Sequence, residues 1–352
     1  MNLVPVIDAI GEPLTALLGG AVLGLIFGIA AQRSAFCTRS AVLHAVRDRD
    51  LRALAIWAAG FATAVLVVQS MIDGGALSVS ETRFFSSVQS LSGATIGGLV
   101  FGVGMALARG CVSRLTVLAA SGNLRALFCL VVVAIAGWAT YAGVLIPVRD
   151  AVAALWTTAS IGGNDLLAQG GYSSLAGVVT GWALLFTALV LVIVSKVSWW
   201  RATGGVLVGA AVAGGWWFTW QLSQQVFDPV QVESLSFVRP FATTLMLAVG
   251  TIAEAGWDQG LLLGVLLGAA LAAVLSGEFR IVTFGEPGAP SVLRYGIGAA
   301  LMGCGGILAV GCTVGAGLTG GSVLAIASLC ALLAMAIGAA VTDRLVDAAP
   351  KG

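Results

Sequence analysis

Ile96-Gly97-Gly98-Leu99-Val100-Phe101-Gly102-Val103-Gly104-Met105-Ala106-Leu107-Ala108-Arg109-Gly110-Cys111 is a glycine-rich apolar run that stops at a cysteine. Its closing pattern, G-x-G-x-x-L-A-x-G-C, returns 201 residues later, ending in Val310-Gly311-Cys312. A looser copy near the start runs from Gly24-Leu25-Ile26-Phe27-Gly28 to Phe36-Cys37. In all three, nine positions separate the last motif glycine (Gly28, Gly102, Gly303) from the cysteine. Repeated glycine-rich helices that break at a cysteine point to a transporter built from related halves, with thiols on its path.

Composition fixes the solvent. The chain is 59% hydrophobic and 9% charged, with a mean hydropathy of +1.03. Soluble domains run at about 45–50% apolar and about 25% charged. Stretches of roughly 20 apolar residues suffice to cross a bilayer, and the expected spans are 14–31, 51–71, 91–108, 124–146, 171–194, 203–222, 261–275, 292–310 and 322–341. The apolar stretch 241–252 is too short to cross unaided. The expected fold is therefore an all-α polytopic membrane protein of about nine transmembrane helices, with short re-entrant helices and pseudo-symmetric inverted repeats. The chain reads as one transmembrane domain: a repeat half at 14–146, linking helices at 171–222 and a repeat half at 238–343. A degenerate unit is expected at 260–280, with Gly277-Glu278-Phe279-Arg280 in place of a cysteine loop. The N-terminus has no basic n-region or cleavage site, so no removable signal peptide is expected.

Thr38–Val46 and Val112–Ala120 are two to three turns long and fit half-helices that dip into the membrane. Irregular backbone at that depth is tolerated only against protein or a water-filled cavity, so the Gly-Cys junctions should line a cavity. Arg33, Arg39, Arg47, Arg49 and Arg52 follow the first span, and Arg109, Arg114 and Arg125 follow the third. This alternation puts the basic loops in the cytoplasm and the N-terminus in the periplasm.

Net charge is +1, which gives a nucleic-acid partner no support. There is no C-x-x-C pair and no metal-ligand spacing, so neither a metal nor another cofactor is expected. An enzyme is not expected either. A membrane thiol oxidoreductase would need paired cysteines, and a passive anchor for a soluble protein would not use the repeated loops.

Cys37, Cys111 and Cys312 are the candidate transport residues. A thiol is a soft, weak donor, suited to a substrate with a terminal sulfur that must leave as easily as it enters. Cys129, Cys304 and Cys330 sit at unmatched helix positions and read as packing. Gly110 and Gly311 precede their cysteines at a helix break, where glycine permits a turn closed to other residues. Free N–H groups of a half-helix beyond would attract an anion. Arg109 and Arg114 flank the second cysteine and would add charge. Gln32 would donate to an oxyanion.

Gln32-Arg33-Ser34-Ala35-Phe36-Cys37, Ala108-Arg109-Gly110-Cys111-Val112-Ser113 and Val310-Gly311-Cys312-Thr313-Val314-Gly315 resemble segments of the YeeE/YedE family of bacterial inner-membrane proteins. The resemblance implies nine spanning helices with shorter ones between, and uptake of thiosulfate or a related sulfur-containing anion. It also implies that Cys37, Cys111 and Cys312 hand the anion along by S–H···S hydrogen bonds. A small cytoplasmic sulfur carrier of the TusA type would be a partner, beside the lipid bilayer. Arg114 departs from the family pattern, which has a small residue there, and the added charge bears on which anion is preferred. Other sulfur or selenium species, including persulfide-type ones, are the alternative cargo.

Overall fold

A computed structural model describes residues 2–226, 231–286 and 290–347. Its described residues form helices, apart from three isolated bridges. Beside short helices such as Val4–Ile10 and Ile146–Ala153, the helices that build the membrane domain are, in chain order, α1 (Glu12–Ser34), α2 (Thr38–Leu43), α3 (Arg52–Asp73), α4 (Leu91–Leu107), α5 (Val112–Ala120) and α6 (Leu124–Tyr141). Next come α7 (Ser174–Val194), α8 (Trp199–Ser223), α9 (Val238–Ala248), α10 (Trp257–Leu275), α11 (Val292–Leu308) and α12 (Ile326–Val346). A π-helical turn, Thr313–Gly320, lies between α11 and α12.

Eight helical segments among the described residues are long and apolar enough to cross a membrane. They start with α1, α3, α4, α6, α7, α10, α11 and α12. The ninth long helix, α8, has 25 residues but is less apolar. Five tryptophans (Trp199, Trp200, Trp216, Trp217, Trp220), Arg201 and Gln221 lower its hydropathy.

Glycines set how the helices meet. A side chain at Gly20, Gly24 or Gly28 of α1 would strike the backbone of α10 at Trp257, Leu261 or Val265. One at Gly260, Gly264 or Gly268 of α10 would strike Leu17, Ala21 or Leu25. Both series ascend, so α1 and α10 run parallel with their backbones in contact. α3 and α8 meet the same way, through Ile56 against Gly205 and Gly60 against Gly209. α4 runs parallel to α12 through Gly98, Gly102 and Gly338, and α6 runs parallel to α11 through Gly303. Two contacts are antiparallel. Gly97 and Gly104 of α4 meet Gly305 and Gly298 of α11, while Ala30 and Leu23 of α1 meet Gly204 and Gly214 of α8.

This pattern is an inverted repeat. α1, α3, α4 and α6 correspond to α8, α10, α11 and α12, with the antiparallel pairs α1–α8 and α4–α11 astride the axis. The half-helices α2 and α5 correspond to α9 and the turn Thr313–Gly320. The packing thus groups α8 with the second half, although 171–222 reads in sequence as a linker. Among the described long helices, α7 stands outside the pairing; it packs on α3 and turns Val179, Trp182, Phe186 and Ile193 outward.

The break that matches α1–α2 is the segment before α9, and not Gly277–Arg280. There the backbone of Arg280 and Val282 pairs with Ser121 and Gly122, and the Arg280 side chain is exposed. The segment before α9 has neither glycine nor cysteine to mark it, so only packing identifies it.

Ion pairs between Arg39 and Asp343 and between Arg109 and Asp347 tie the ends of α1, α4 and α12 to one face. Gln69 to Ser322 and Asn164 to Phe84 tie loops of the opposite face. Among the described residues, only Arg83, Arg149 and Arg239 are basic side chains in segments of that second face.

Candidate functional site

All three cysteine loops are built alike. Each first helix ends in a left-handed residue two places before the cysteine: Ala35 (φ 55°), Arg109 (φ 57°) and Val310 (φ 60°). The next amide reaches back five residues: Phe36 to Ala31 at 3.1 Å, Gly110 to Met105 at 3.2 Å and Gly311 to Gly306 at 2.8 Å. This is a Schellman cap, which usually takes glycine at the left-handed position. Here alanine, arginine and a β-branched valine occupy it, a strained choice held in place by the surrounding packing. The turn was expected at Gly110 and Gly311, but it falls one residue earlier. Gly311 is itself at φ 156°, where an added Cβ would lie 2.7 Å from the Ala316 amide.

Each cysteine then opens the next helix. Its backbone is extended, and its carbonyl accepts the first helical amide: Ala41 on Cys37, Leu115 on Cys111 and Ala316 on Cys312, at 2.7–3.0 Å. The thiols therefore sit at helix starts, where free N–H groups and the helix dipole favour a negative partner. Gly315 donates its amide to Cys312 Sγ at 3.5 Å. All three thiols are buried and free.

The loops fall into two pairs. At the inner pair, the buried thiols of Cys37 and Cys111 face each other. Cys111 Sγ also lies 3.4 Å from Ser113 Oγ. Arg114 lies near Cys37, and three buried polar atoms of these two loops have no partner: Gln32 Oε1, Arg39 Nε and an Arg114 Nη. Gln32 Nε2 donates to Glu278 at 2.8 Å. Arg109 points outward and meets Asp347 at 3.7 Å.

At the outer pair, Cys312 faces the amides of Phe237 and Val238, which start α9. Phe237 takes the place that Cys37 holds in the first half, and its ring packs 5.3 Å from Phe27. Above this pair lies a cavity of about 200 Å³, lined by Arg83, Arg149, Arg239, Tyr141, Ser236 and the Gly306–Gly311 stretch. The three arginines of this face thus converge on one cavity whose floor adjoins Cys312.

Each arginine is positioned. Arg239 is clamped by Glu233 at 2.6 Å and by Asp258 at 2.8 Å, and Thr243 donates to Asp258 at 2.9 Å. Arg149 donates to the Tyr141 carbonyl and to Asp150, both at 2.8 Å. Arg83 lies over Phe84, 4.9 Å from the ring centre, and its Nε has no partner. Sequence reading missed these three. Arg83 lies in a long loop and Arg149 on the short helix Ile146–Ala153, and the fold brings them beside Arg239.

Cys129 and Cys304 make only weak contacts, to the carbonyls of Tyr295 (3.8 Å) and Ala136 (3.9 Å), as packing cysteines do.

Inverted repeats, broken helices and an arginine-lined cavity leading to buried thiols define a membrane transporter of sulfur compounds. The chain belongs to the sulphur-transport family, whose profile matches residues 33–341. It is 28% identical over 335 residues to the thiosulfate transporter TsuA of Spirochaeta thermophila, covering 91% of this chain and 96% of that protein. It is 24% identical over 355 residues to the thiosulfate transporter TsuA of Escherichia coli K12, covering 95% and 96%.

Proposed function

We propose that this chain takes up thiosulfate, or a closely related sulfur-containing anion, across the bacterial inner membrane. The observation that carries the reading is the cavity whose three arginines lead to Gly311 and Cys312. An anion drawn in by Arg83, Arg149 and Arg239 meets the Cys312 thiol and the first amides of α9. It then passes to Cys111 and Cys37, near Arg114 and Gln32. Neutral thiols neither repel the anion nor hold it tightly, so it can move on.

Orientation follows from charge. The face that carries Arg39, Arg47, Arg49, Arg52, Arg109 and Arg125 is cytoplasmic, which leaves the N-terminus and the arginine-lined cavity in the periplasm. A TusA-like sulfur carrier would receive the product at the basic face.

The test is uptake of ³⁵S-thiosulfate by cells that lack their own thiosulfate and sulfate systems. Wild type should accumulate label, while Cys312→Ala and Cys111→Ala, present at wild-type levels in the membrane, should not. Full uptake by both variants would remove the thiol relay. A panel of competing anions separates thiosulfate from persulfide-type or selenium cargo.

The contact between Cys37 and Cys111 also favours a second reading, a membrane thiol oxidoreductase. Under that reading the pair cycles through a disulfide during turnover. Under the relay both thiols stay reduced, which alkylation of transporting vesicles would reveal.

A further inference from the structure

We propose that Ser236 is a specificity-determining residue: its hydroxyl donates to an oxygen of the entering anion while Cys312 faces the sulfur end. The inference rests on the thiosulfate reading and adds a residue to it.

The segment before α9 is fastened almost atom by atom. The Glu233 amide donates to Thr219 Oγ1 at 3.1 Å, and Thr219 in turn donates to the Glu233 carbonyl at 2.6 Å. Ser234 Oγ donates to the Val212 carbonyl at 2.6 Å. The Leu235 carbonyl accepts from Thr319 at 2.6 Å. Ser236 is 95% buried, being 5% exposed, yet its hydroxyl has no hydrogen-bond partner among the described residues and lines the arginine cavity. It packs against Gly315, the residue whose amide reaches Cys312. Thr313 Oγ1, next to Cys312, is a buried hydroxyl without a partner. The Ser236 hydroxyl instead opens to the cavity with its donor free, where an anion oxygen can take it up.

The inverted repeat makes the point sharper. The inner loop pair presents two thiols, and the outer pair presents one thiol and one free hydroxyl. A hydroxyl is a strong donor that suits an oxyanion oxygen, whereas a thiol suits sulfur. An anion with oxygens at one end and sulfur at the other fits the outer pair in one orientation only.

The experiment is ³⁵S-thiosulfate uptake into proteoliposomes by Ser236→Ala, Ser236→Cys and Ser236→Thr, each first checked for monodisperse elution. Loss of the donor should raise KM about tenfold in the Ala and Cys variants, the amount one hydrogen bond to a charged group accounts for. Thr keeps the hydroxyl and should stay within about threefold of wild type. The Cys and Thr variants together decide against a packing explanation, because both add bulk to serine and only Thr keeps the strong donor. An unchanged KM in the Ala and Cys variants, with Cys312→Ala inactive, would overturn the role of Ser236 and leave the relay standing. Absence of thiosulfate uptake by wild type would overturn both.

Discussion

At the inner loop pair, two thiols face each other, and the nearby arginines are held loosely: Arg39 and Arg109 stand 3.7 Å from Asp343 and Asp347. At the outer pair, one thiol sits below Arg239, which is gripped at 2.6 and 2.8 Å by two carboxylates. The two pairs share a scaffold, down to an arginine two places after each matching helix start, Arg39 after Cys37 and Arg239 after Phe237. What differs is how firmly the charge is held. Rigidly placed donors favour capture from dilute solution, because little ordering remains to be done on binding. Ion pairs at 3.7 Å hold their charge less firmly than ones at 2.6–2.8 Å, which suits release. The comparison teaches that an inverted repeat can carry opposite tasks at its two ends by changing side chains while keeping one backbone.

The largest expected effect comes from loosening the outer grip. Arg239→Gln leaves Glu233 and Asp258 facing each other without their cation. Removing one partner of a buried ion pair costs about 3–5 kcal/mol, so the detergent-solubilised variant should melt several degrees lower and take up no thiosulfate. Arg39→Gln, its inner counterpart, should lower the melting point less, because its pair with Asp343 is longer, at 3.7 Å, and Arg47 still stands 3.8 Å from that carboxylate. Equal thermal shifts in the two variants would break the comparison.

A smaller effect is expected from Glu233, through pH. Burial pushes its carboxyl above the ordinary carboxylate range, although Arg239 pulls the other way. Asp258 raises it further and Arg83 lowers it. As pH falls towards that raised value, Glu233 takes up a proton before a free glutamate would. Its hold on Arg239 weakens and the cavity becomes one charge more positive. KM for a sulfur anion should therefore fall as the pH on the cavity side drops from neutrality towards that raised value. Folding favours the protonated form, so stability should rise, not fall, over the same interval. Glu233→Gln should lower KM at pH 7 and flatten the profile. A KM that rises on acidification of wild type would sink this account.

The inner pair was far more legible in sequence than the outer one. Gly24–Gly28, Gly98–Gly104 and Gly303–Gly306 announce close helix packing, and Cys37, Cys111 and Cys312 stand at one spacing, so both the helices and the breaks could be read from local pattern. Val112–Ala120 was placed to the residue as a half-helix. The outer capture site has no local signature. Arg83, Arg149 and Arg239 lie 66 and 90 positions apart, each in unremarkable surroundings, and only the inverted packing gathers them. The break before α9 has no signature for the same reason: Phe237 stands where the other loops have a cysteine. The tryptophans and polar end of α8 hide a kinship with α1 that shows only as contact geometry.

The smallest effect should come from Arg114, on the inner side. It is half-buried with one Nη unpaired, beside the Cys37–Cys111 contact and far along the path from the outer cavity. Its charge cannot assist capture, which the outer arginines have already completed. It can only hold the anion at the inner thiols before release. Arg114→Ser should therefore leave KM unchanged and alter the maximal rate by about threefold, the size of one weak charge interaction. Because the positive charge favours a more highly charged anion, the same variant should also narrow any preference for divalent over monovalent sulfur anions in competition assays. The split between KM and rate carries the argument. An outer residue such as Arg83 should move KM at constant rate, and Arg114 should do the reverse. If both variants moved KM alone, the inner and outer pairs would form one binding site, and their different grip on charge would have no bearing on the direction of transport.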